Sequence, residues 1–350
     1  MTFEELFAVD RSGMYSLLKN FPAQVREAVD IGRAARLPSR IAGIRQIVLC
    51  GLGGSAIGGD LLRSALARDL DIPFSVNRTY TLPASVGPGT LVIVSSYSGN
   101  TEETNAAHRE ALRRKAKLLC ITSGGATRRL AEKHRSPLIS IPPGLPPRAA
   151  LGYSFFPLLI ALGRLGCIPD RRRDIRETVE VIDRLAGVYG NPDPGANAAL
   201  QLAGKLRNRV GVIYSSTERF DAVGTRWRGQ IAENGKSLAF GHVLPEMNHN
   251  ELVGWKALTG PMSEMQVVFL RDRGDHPRIA LRMDLTRGVI ARTTSHVDEV
   301  WSEGESLYAR MFSLVVLGDW VSYYLAILHG EDPTPVAVID TLKNELSRIP

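Results

Sequence analysis

The chain has 350 residues and a formal net charge of +7, with 44% hydrophobic and 23% charged residues. This length allows two domains with cores of ordinary size, and the composition is typical of globular proteins. The basic residues are scattered, so the charge slightly favours anionic small molecules and gives little support for nucleic-acid binding. Cys50, Cys120 and Cys167 lack metal-ligand spacing, which indicates small core residues in a reducing compartment.

Neither an export signal nor a membrane span is predicted. The opening sequence MTFEELFAVD carries acidic residues where a signal peptide has a positive region. The longest apolar segment, 307–328, contains Arg310 and Asp319 and several aromatic residues, so we predict a buried core helix. The expected location is the cytoplasm, without membrane contact.

The first part of the chain alternates strands with helices. Apolar residues at helical spacing predict leading helices within 1–40 and further helices at 60–68 and 127–134. Short apolar runs predict strands at 45–50, 72–76, 91–94, 117–122 and 138–141. This alternation predicts a doubly wound parallel sheet, whose ligands bind beyond the carboxyl ends of the strands.

Two loops that follow such strands carry the residues expected to bind a phosphate. The first is the glycine loop 51–59, and the second is the hydroxyl-bearing loop 95–101. The second loop leads into a helix that Asn100 or Thr101 can cap. Free backbone N–H groups and hydroxyls at a helix N-terminus suit an anion, although similar clusters also form ordinary turns. Because two such loops follow neighbouring strands, we favour a phosphate site. The predicted ligands are Gly53, Gly54, Ser55, Ser96, Ser98 and Thr101.

The glycine loop also fits a loose dinucleotide-binding pattern, with Gly51, Gly53 and Ala56 at the required spacing. That fingerprint needs an acidic residue at the end of the second strand, where this chain has Asn77 and Arg78. A lysine does not follow the glycines, which excludes a Walker-type nucleotide loop. A nicotinamide-linked oxidoreductase is therefore an alternative that depends on this loop alone.

The proline-rich segment 142–147 is predicted to end the first domain, which gives domains at 1–150 and 151–350. The second domain repeats the alternation more weakly. Its predicted helices are 151–165, 171–188, 196–207, 219–234, 277–287, 306–328 and 335–346, and its predicted strands are 210–215, 265–270 and 297–300. The expected fold class is α/β, with two doubly wound parallel-sheet subdomains in αβα layers.

Motifs in both domains resemble a known family. The sequences GGS at 53–55 and SYSGNT at 96–101 resemble the sugar isomerase (SIS) domain. RWRGQIAENGK at 226–236 and PEMNHN at 245–250 resemble the bifunctional phosphoglucose/phosphomannose isomerase family. The match extends from Gly51 to about Lys343, which is nearly the whole chain.

This resemblance implies two SIS subdomains, a homodimer, and neither metal nor cofactor. The implied reaction interconverts glucose 6-phosphate and/or mannose 6-phosphate with fructose 6-phosphate through a cis-enediol. The alternative from another class is a non-catalytic sugar-phosphate sensor, because SIS domains also serve as ligand-binding modules in regulators. Such a protein would usually carry a helix-turn-helix, and residues 1–40 lack a clear basic recognition helix.

Glu233 is the candidate base. Moving a carbonyl between C1 and C2 requires a group that takes a proton from one carbon and returns it to the other. On the predicted helix, Glu233 aligns with Ala222, Arg226 and Gly229, away from an apolar side. A solvated carboxylate at the helix end is the structural alternative, and the motif match favours the base.

Three more residues are expected to act in catalysis. His249 in the polar turn 245–251 is the best histidine for opening the sugar ring, because imidazole titrates near neutrality; the resemblance implies that it comes from the other subunit. Lys343 shares a predicted buried face, and the resemblance assigns the matching lysine to ring opening. Arg148 is the candidate cation for the enediolate, or else a surface linker arginine.

Other residues have weaker assignments. Thr334, between two prolines, is a candidate for the wall of the sugar pocket. Four histidines are expected on helix or loop surfaces without a catalytic role: His108, His134, His276 and His329.

Overall fold

The structure, a computed structural model, describes residues 2–39, 41–346 and 348. Its first part contains three leading helices followed by alternating strands and helices. The helices are α1 (Phe3–Val9), α2 (Met14–Lys19), α3 (Phe21–Ala34), α4 (Gly53–Leu66), α5 (Glu102–Arg113) and α6 (Gly125–Lys133). The strands are β1 (Gln46–Cys50), β2 (Phe74–Asn77), β3 (Thr90–Ser95), β4 (Lys117–Thr122) and β5 (Leu138–Ser140).

The second part begins after a 3-10 turn at Pro147–Ala149. Its helices are α7 (Leu151–Arg164), α8 (Arg172–Tyr189), α9 (Ala198–Leu206), α10 (Asp221–Glu233), α11 (Thr259–Ser263), α12 (Pro277–Ile290), α13 (Leu307–His329) and α14 (Ala337–Leu346). Its strands are β6 (Gly211–Ser216), β7 (Ala239–Leu244), β8 (Gln266–Arg271) and β9 (Val297–Trp301). Two further 3-10 turns, Glu246–His249 and Glu251–Gly254, follow β7.

Both sheets are parallel, with strand orders β2-β1-β3-β4-β5 and β7-β6-β8-β9. The direction of winding reverses between β1 and β3 in the first sheet and between β6 and β8 in the second. Ligands of open parallel sheets bind at such a switch point. The predicted α/β fold with two doubly wound sheets is confirmed, and both loops predicted to bind phosphate follow strands at the first switch point.

Helix α4 begins inside the glycine loop, seven residues before its predicted start. Glycine disfavours helix interiors, so the sequence indicates a loop there. The helix forms because its glycines allow close packing. A Cβ atom at Gly54 would lie 2.3 Å from the carbonyl oxygen of Pro147, and one at Gly58 would lie 2.5 Å from Ser154 Oγ.

Strand β7 is absent from the predicted elements. It lies at the edge of its sheet, and only Leu244 at its end is buried, so its sequence AFGHVL lacks the continuous apolar run of a central strand. The strand forms because it pairs with β6, although its local sequence does not favour a strand. Gly241 is required because a Cβ atom there would lie 2.0 Å from the carbonyl oxygen of Ile213.

Helix α13 is the centre of the main hydrophobic core. Among the described residues, it alone has the length and apolar composition needed to cross a membrane, and 94% of its most apolar window is buried inside the protein. It packs against α8, α9 and α10. The predicted buried core helix is therefore confirmed.

His108 is fully buried in α5, so the expectation of a surface residue is wrong. The helix turns this residue toward β4, where its Nε2 lies 3.8 Å from Cys120 Sγ. Its Nδ1 is buried without a hydrogen-bond partner among the described residues. Burial, together with the charges of His134 and Arg109, lowers the pKa of His108 to about 4.

The lowered pKa of His108 predicts a loss of stability in mild acid. The unfolded chain binds a proton near pH 6.5 while the folded protein does not, so stability is complete above that pH and decreases as the pH falls toward 4. At pH 5 the loss from this histidine should be about 2 kcal/mol. Urea unfolding at pH 7 and pH 5 should show that His108→Leu loses about 2 kcal/mol less than the unsubstituted protein. Equal losses would contradict this assignment.

Candidate active site

A cavity of about 190 Å³ lies where the first turn of α4 faces the last turns of α10. It contains four of the predicted site residues. Two larger cavities, of about 220 and 340 Å³, lie elsewhere and contain none of them. The residues that line the smaller cavity are Gly53, Gly54, Ile57, Arg78, Arg148, Thr225, Arg226, Gly229, Gln230 and Glu233.

The two loops predicted to bind phosphate are joined by a hydrogen bond. Ser55 Oγ accepts a bond of 3.1 Å from the backbone N–H of Tyr97, so the loop after β1 is fixed to the loop after β3. The hydroxyls of Ser96 and Thr101 lie 3.0 Å apart. Ser55 and Ser96 are buried, whereas Ser98 is exposed. The structure therefore brings the six predicted residues to one end of the sheet.

Thr101 is the N-cap residue of α5, although its side chain does not cap the helix among the described contacts. Its hydroxyl points instead toward Ser96, inside the loop. A helix N-terminus whose first N–H groups lack side-chain caps can bind an anion. The predicted helix forms and begins at Glu102, with Thr101 rather than Asn100 at the N-cap position. A role for Thr101 in phosphate binding stays a prediction.

Arg148 lies at the floor of the cavity and is only 4% exposed. Its Nε donates to Asn234 Oδ1 at 2.6 Å, and its Nη2 donates to the carbonyl oxygens of Pro333 at 2.9 Å and Thr334 at 2.6 Å. The remaining nitrogen, Nη1, lies 3.5 Å from Glu233 Oε2. The guanidinium is therefore held on two sides and presents its third side to Glu233.

Burial lowers the pKa of Arg148, the charge of Glu233 raises it, and the charge of Arg226 lowers it. An arginine stays protonated through the physiological pH range, so the site keeps a permanent cation. The alternative of a surface linker arginine is wrong, because the 3-10 turn at Pro147–Ala149 folds back against α4 and buries the side chain.

Glu233 ends α10, and its side chain is 33% exposed on the cavity side. The predicted division of this helix into two faces is confirmed: Val223, Trp227 and Ile231 are buried in the core, whereas Arg226 and Glu233 line the cavity. The carboxylate is thus open to the cavity while the opposite face of the helix is fixed by packing. Such an arrangement allows a carboxylate to exchange a proton with a bound molecule.

Lys236 bonds the backbone of Glu233 and of the segment that holds Arg148. Its Nζ donates to the carbonyl oxygens of Glu233 at 2.5 Å, Pro335 at 2.6 Å and Pro333 at 3.1 Å. These bonds tie the end of α10 to the segment that also binds Arg148. Burial lowers the pKa of Lys236, and the charge of Arg148 lowers it further. Lys236 belongs to the motif at 226–236, but its sequence does not indicate this bracing contact.

His249 and Lys343 lie outside the lining of the cavity. His249 is exposed at the end of a 3-10 turn. Every residue of α14 is exposed, including Lys343 and Leu342, so the expectation of a buried face is wrong for the single chain. The periodicity of α14 reveals an apolar stripe, but it does not reveal what covers that stripe.

Sequence reasoning missed two charged residues of the site. Arg78 follows β2 and lines the cavity, where it pairs with Asp60 of α4; its position at the end of a strand was a usable signal. Asp319 is a carboxylate within the apolar helix α13 and pairs with Arg226. A charge in such a helix requires a partner, which was also a usable signal.

The fold and the cavity define this chain first as a SIS-domain protein. The family model "SIS domain" matches residues 40–134, and the model "Bacterial phospho-glucose isomerase C-terminal SIS domain" matches residues 195–346. The solved structure of a hypothetical protein from Thermus thermophilus is similar in fold, with a TM-score of 0.73 and 17% identity, over 99% of this chain and 95% of that chain.

Comparison with curated proteins then defines the family. The chain is 46% identical to the bifunctional phosphoglucose/phosphomannose isomerase of Caldicellulosiruptor bescii, over 96% of this chain and 99% of that protein. It is 37% identical to the protein of the same name from Aquifex aeolicus, over 86% of this chain and 90% of that one. The chain belongs to the bifunctional phosphoglucose/phosphomannose isomerase family, as the sequence motifs predict.

Proposed function

We propose that this protein interconverts glucose 6-phosphate and mannose 6-phosphate with fructose 6-phosphate through a cis-enediol intermediate. The observation that carries the proposal is the pairing of a cavity-facing carboxylate, Glu233, with the buried cation Arg148 at 3.5 Å. The names of the relatives supply the substrates. Family membership favours an isomerase over a non-catalytic sensor, and the reaction needs only the side chains of the protein.

The phosphate of the substrate binds at the two hydroxyl-bearing loops. Backbone N–H groups at the N-termini of α4 and α5 favour an anion there. Gly53 and Gly54 line the same cavity as Glu233, and Ser55 fixes the second loop to the first. Both observations support this placement, since a six-carbon chain must reach from its phosphate to the base. The binding residues are Gly53, Gly54, Ser55, Ser96, Ser98 and Thr101.

Glu233 takes a proton from C2 of the open-chain aldose and returns it to C1. The enediolate formed in between carries negative charge on oxygen, and Arg148 stabilises that charge through its cavity-facing Nη1. Because Arg148 is already held by Asn234 and two carbonyl groups, little reorganisation is needed during the reaction. Mannose 6-phosphate requires the base to act on the other face of C2, after rotation about the C2–C3 bond.

Ring opening needs an acid that protonates the ring oxygen and a base that takes the proton of the anomeric hydroxyl, and His249 with Lys343 are proposed for it. Both side chains are exposed in the single chain, which fits a site that a second subunit completes. The apolar residues Leu342 and Leu346 of α14, 60% and 54% exposed, also favour coverage by another chain. We therefore propose a homodimer in which His249 reaches the partner's cavity, and in which Thr334 helps to form the sugar-binding wall.

Two further assignments belong to this proposal. The domain boundary is placed near residue 150, just after the 3-10 turn that carries Arg148. The cytoplasm is proposed as the location, which the unpaired cysteines Cys50, Cys120 and Cys167 support.

Mixing two inactive variants should restore activity if His249 acts across the dimer. Glu233→Gln and His249→Ala protein, unfolded and refolded together in equal amounts, should recover about a quarter of normal activity, because half of the random dimers contain one intact site out of two. Each variant refolded alone serves as the control. An inactive mixture that contains demonstrated mixed dimers would place His249 in its own subunit's site.

Deuterium exchange tests the proposed chemistry. Fructose 6-phosphate is incubated with the protein in D₂O, and the products are followed by proton NMR over many turnovers. An enediol mechanism predicts deuterium at C2 of both glucose 6-phosphate and mannose 6-phosphate, since the protonated carboxylate exchanges with solvent. Aldose products that never gain deuterium would contradict the proton shuttle, and an absence of aldose products would contradict the function.

A further inference from the structure

Asp319 is a buried carboxylate that the catalytic assignments leave unused. It lies in the middle of the long apolar helix α13 and is 5% exposed. An unpaired charge at such a position would be strongly destabilising, so its partners indicate its purpose. Asp319 Oδ1 accepts from Arg226 Nε at 3.0 Å and from Gln230 Nε2 at 2.9 Å, and Oδ2 accepts from Arg226 Nη2 at 2.7 Å.

Both partners of Asp319 line the cavity. Arg226 and Gln230 lie on successive turns of α10, and Glu233 follows on the next turn. Asp319 therefore fixes, from the side away from the cavity, the two α10 side chains that precede the proposed base.

The network continues from Arg226 to Arg148. Arg226 Nη2 also donates to the backbone carbonyl oxygen of Arg148 at 3.0 Å. On the next turn of α13, Ser322 Oγ accepts from Asn234 Nδ2 at 3.0 Å, and Asn234 Oδ1 accepts from Arg148 Nε at 2.6 Å. Helix α13 thus holds the backbone of Arg148 through Asp319 and Arg226. It holds the guanidinium of Arg148 through Ser322 and Asn234.

Charge gives Asp319 a second effect. Arg148 and Arg226 are each 4% exposed, so two buried cations lie side by side at the floor of the cavity. Asp319 balances Arg226, and Asp60 balances Arg78, the other arginine that lines the cavity. Arg148 is then the cation in contact with the Glu233 carboxylate, at 3.5 Å. Without that carboxylate, two buried positive charges would repel each other and would both act on Glu233.

We propose that Asp319 is a positioning residue: it neutralises Arg226 and, through the bond from Arg226 to the Arg148 carbonyl, holds the Arg148 guanidinium opposite Glu233. The inference rests on the proposed isomerase function and names a residue that supports it without contacting substrate.

The test is Asp319→Asn, which keeps the shape of the side chain and removes its charge. We expect kcat for glucose 6-phosphate to fall about 10- to 100-fold with little change in KM, because the displaced cation acts mainly on the transition state. We also expect the acid limb of the pH–rate profile to move to lower pH, since the unbalanced Arg226 favours ionised Glu233. A merely structural role would lower the melting temperature without moving that limb.

Two variants control the experiment. Asp272→Asn breaks a comparable buried ion pair with Arg310, at 2.8 Å, outside the cavity, and should destabilise the protein while leaving the pH–rate profile in place. Asp319→Asn combined with Arg226→Gln restores charge balance with two amides. This double variant should return the acid limb to its normal position while kcat stays low. If the single variant does not fold, the double variant still tests whether the network is needed for a normal kcat.

The outcomes separate the two proposals. An unsubstituted protein without isomerase activity overturns the proposed function, and the inference falls with it. An active protein whose Asp319→Asn variant keeps its kcat and its acid limb overturns the inference alone. A double variant whose acid limb stays shifted also overturns it, because charge would then not be the cause.

Discussion

Replacing Glu233 with glutamine should lower kcat about 10³-fold or more while leaving the fold intact, because general-base catalysis contributes about 10² to 10⁴ and the site has few substitutes. The glutamine side chain has the same shape but cannot take a proton. Arg148 has its other nitrogens bonded to Asn234, Pro333 and Thr334, so the loss of its contact with Glu233 should not release it. Binding of fructose 6-phosphate should therefore persist.

The measurement is the rate of fructose 6-phosphate formation, together with the increase in melting temperature that fructose 6-phosphate causes. Glu132→Gln, on an exposed position of α6, is the matched control and should be fully active. A Glu233→Gln protein with activity within tenfold of normal would show that another group moves the proton.

Replacing Arg148 with methionine should lower kcat about 10²- to 10³-fold, the range found when one oxyanion-stabilising donor is removed. The change also leaves the buried groups that Arg148 contacts without a donor, which should destabilise the fold by about 1 to 3 kcal/mol for each such group. Arg148→Lys keeps the charge but cannot bond Asn234 and the two carbonyl groups together, so it should restore only part of the activity.

A control arginine separates stability from catalysis in this experiment. Arg164 Nη1 donates to the carbonyl oxygens of Gly32, Arg33 and Ala35, far along α7 from the cavity. Arg164→Met should therefore lower the melting temperature and keep kcat unchanged. If Arg148→Met and Arg164→Met lose activity equally, the effect of Arg148 is structural.

The elements that could be predicted are those whose local sequence and tertiary environment agree. Strand β4 has its predicted limits because it is a continuous apolar run between turns. The predicted start of α4 was too late, because close packing at Gly54 decides where that helix begins. Strand β7 was not predicted, because it forms through pairing with β6. Both are tertiary effects that override local preference.

The candidate site was predictable wherever a motif brings residues together along the chain. The loops after β1 and β3 and the face of α10 follow from strand order and helical spacing. The strand-end position of Arg78 and the charge of Asp319 in an apolar helix were usable signals, but the pairing of these residues with Asp60 and Arg226 on other elements could not be predicted. The exposure of Lys343 could not be predicted either, because an apolar stripe has the same pattern whether its own chain or a second chain covers it.

The most direct test of the isomerase function is to incubate metal-stripped protein separately with glucose 6-phosphate and mannose 6-phosphate and to measure fructose 6-phosphate. We expect that both sugars react, that a chelator does not change the rates, and that Glu233→Gln abolishes both reactions. Failure of both sugars to react, while fructose 6-phosphate still raises the melting temperature, would contradict this function and indicate a sugar-phosphate sensor.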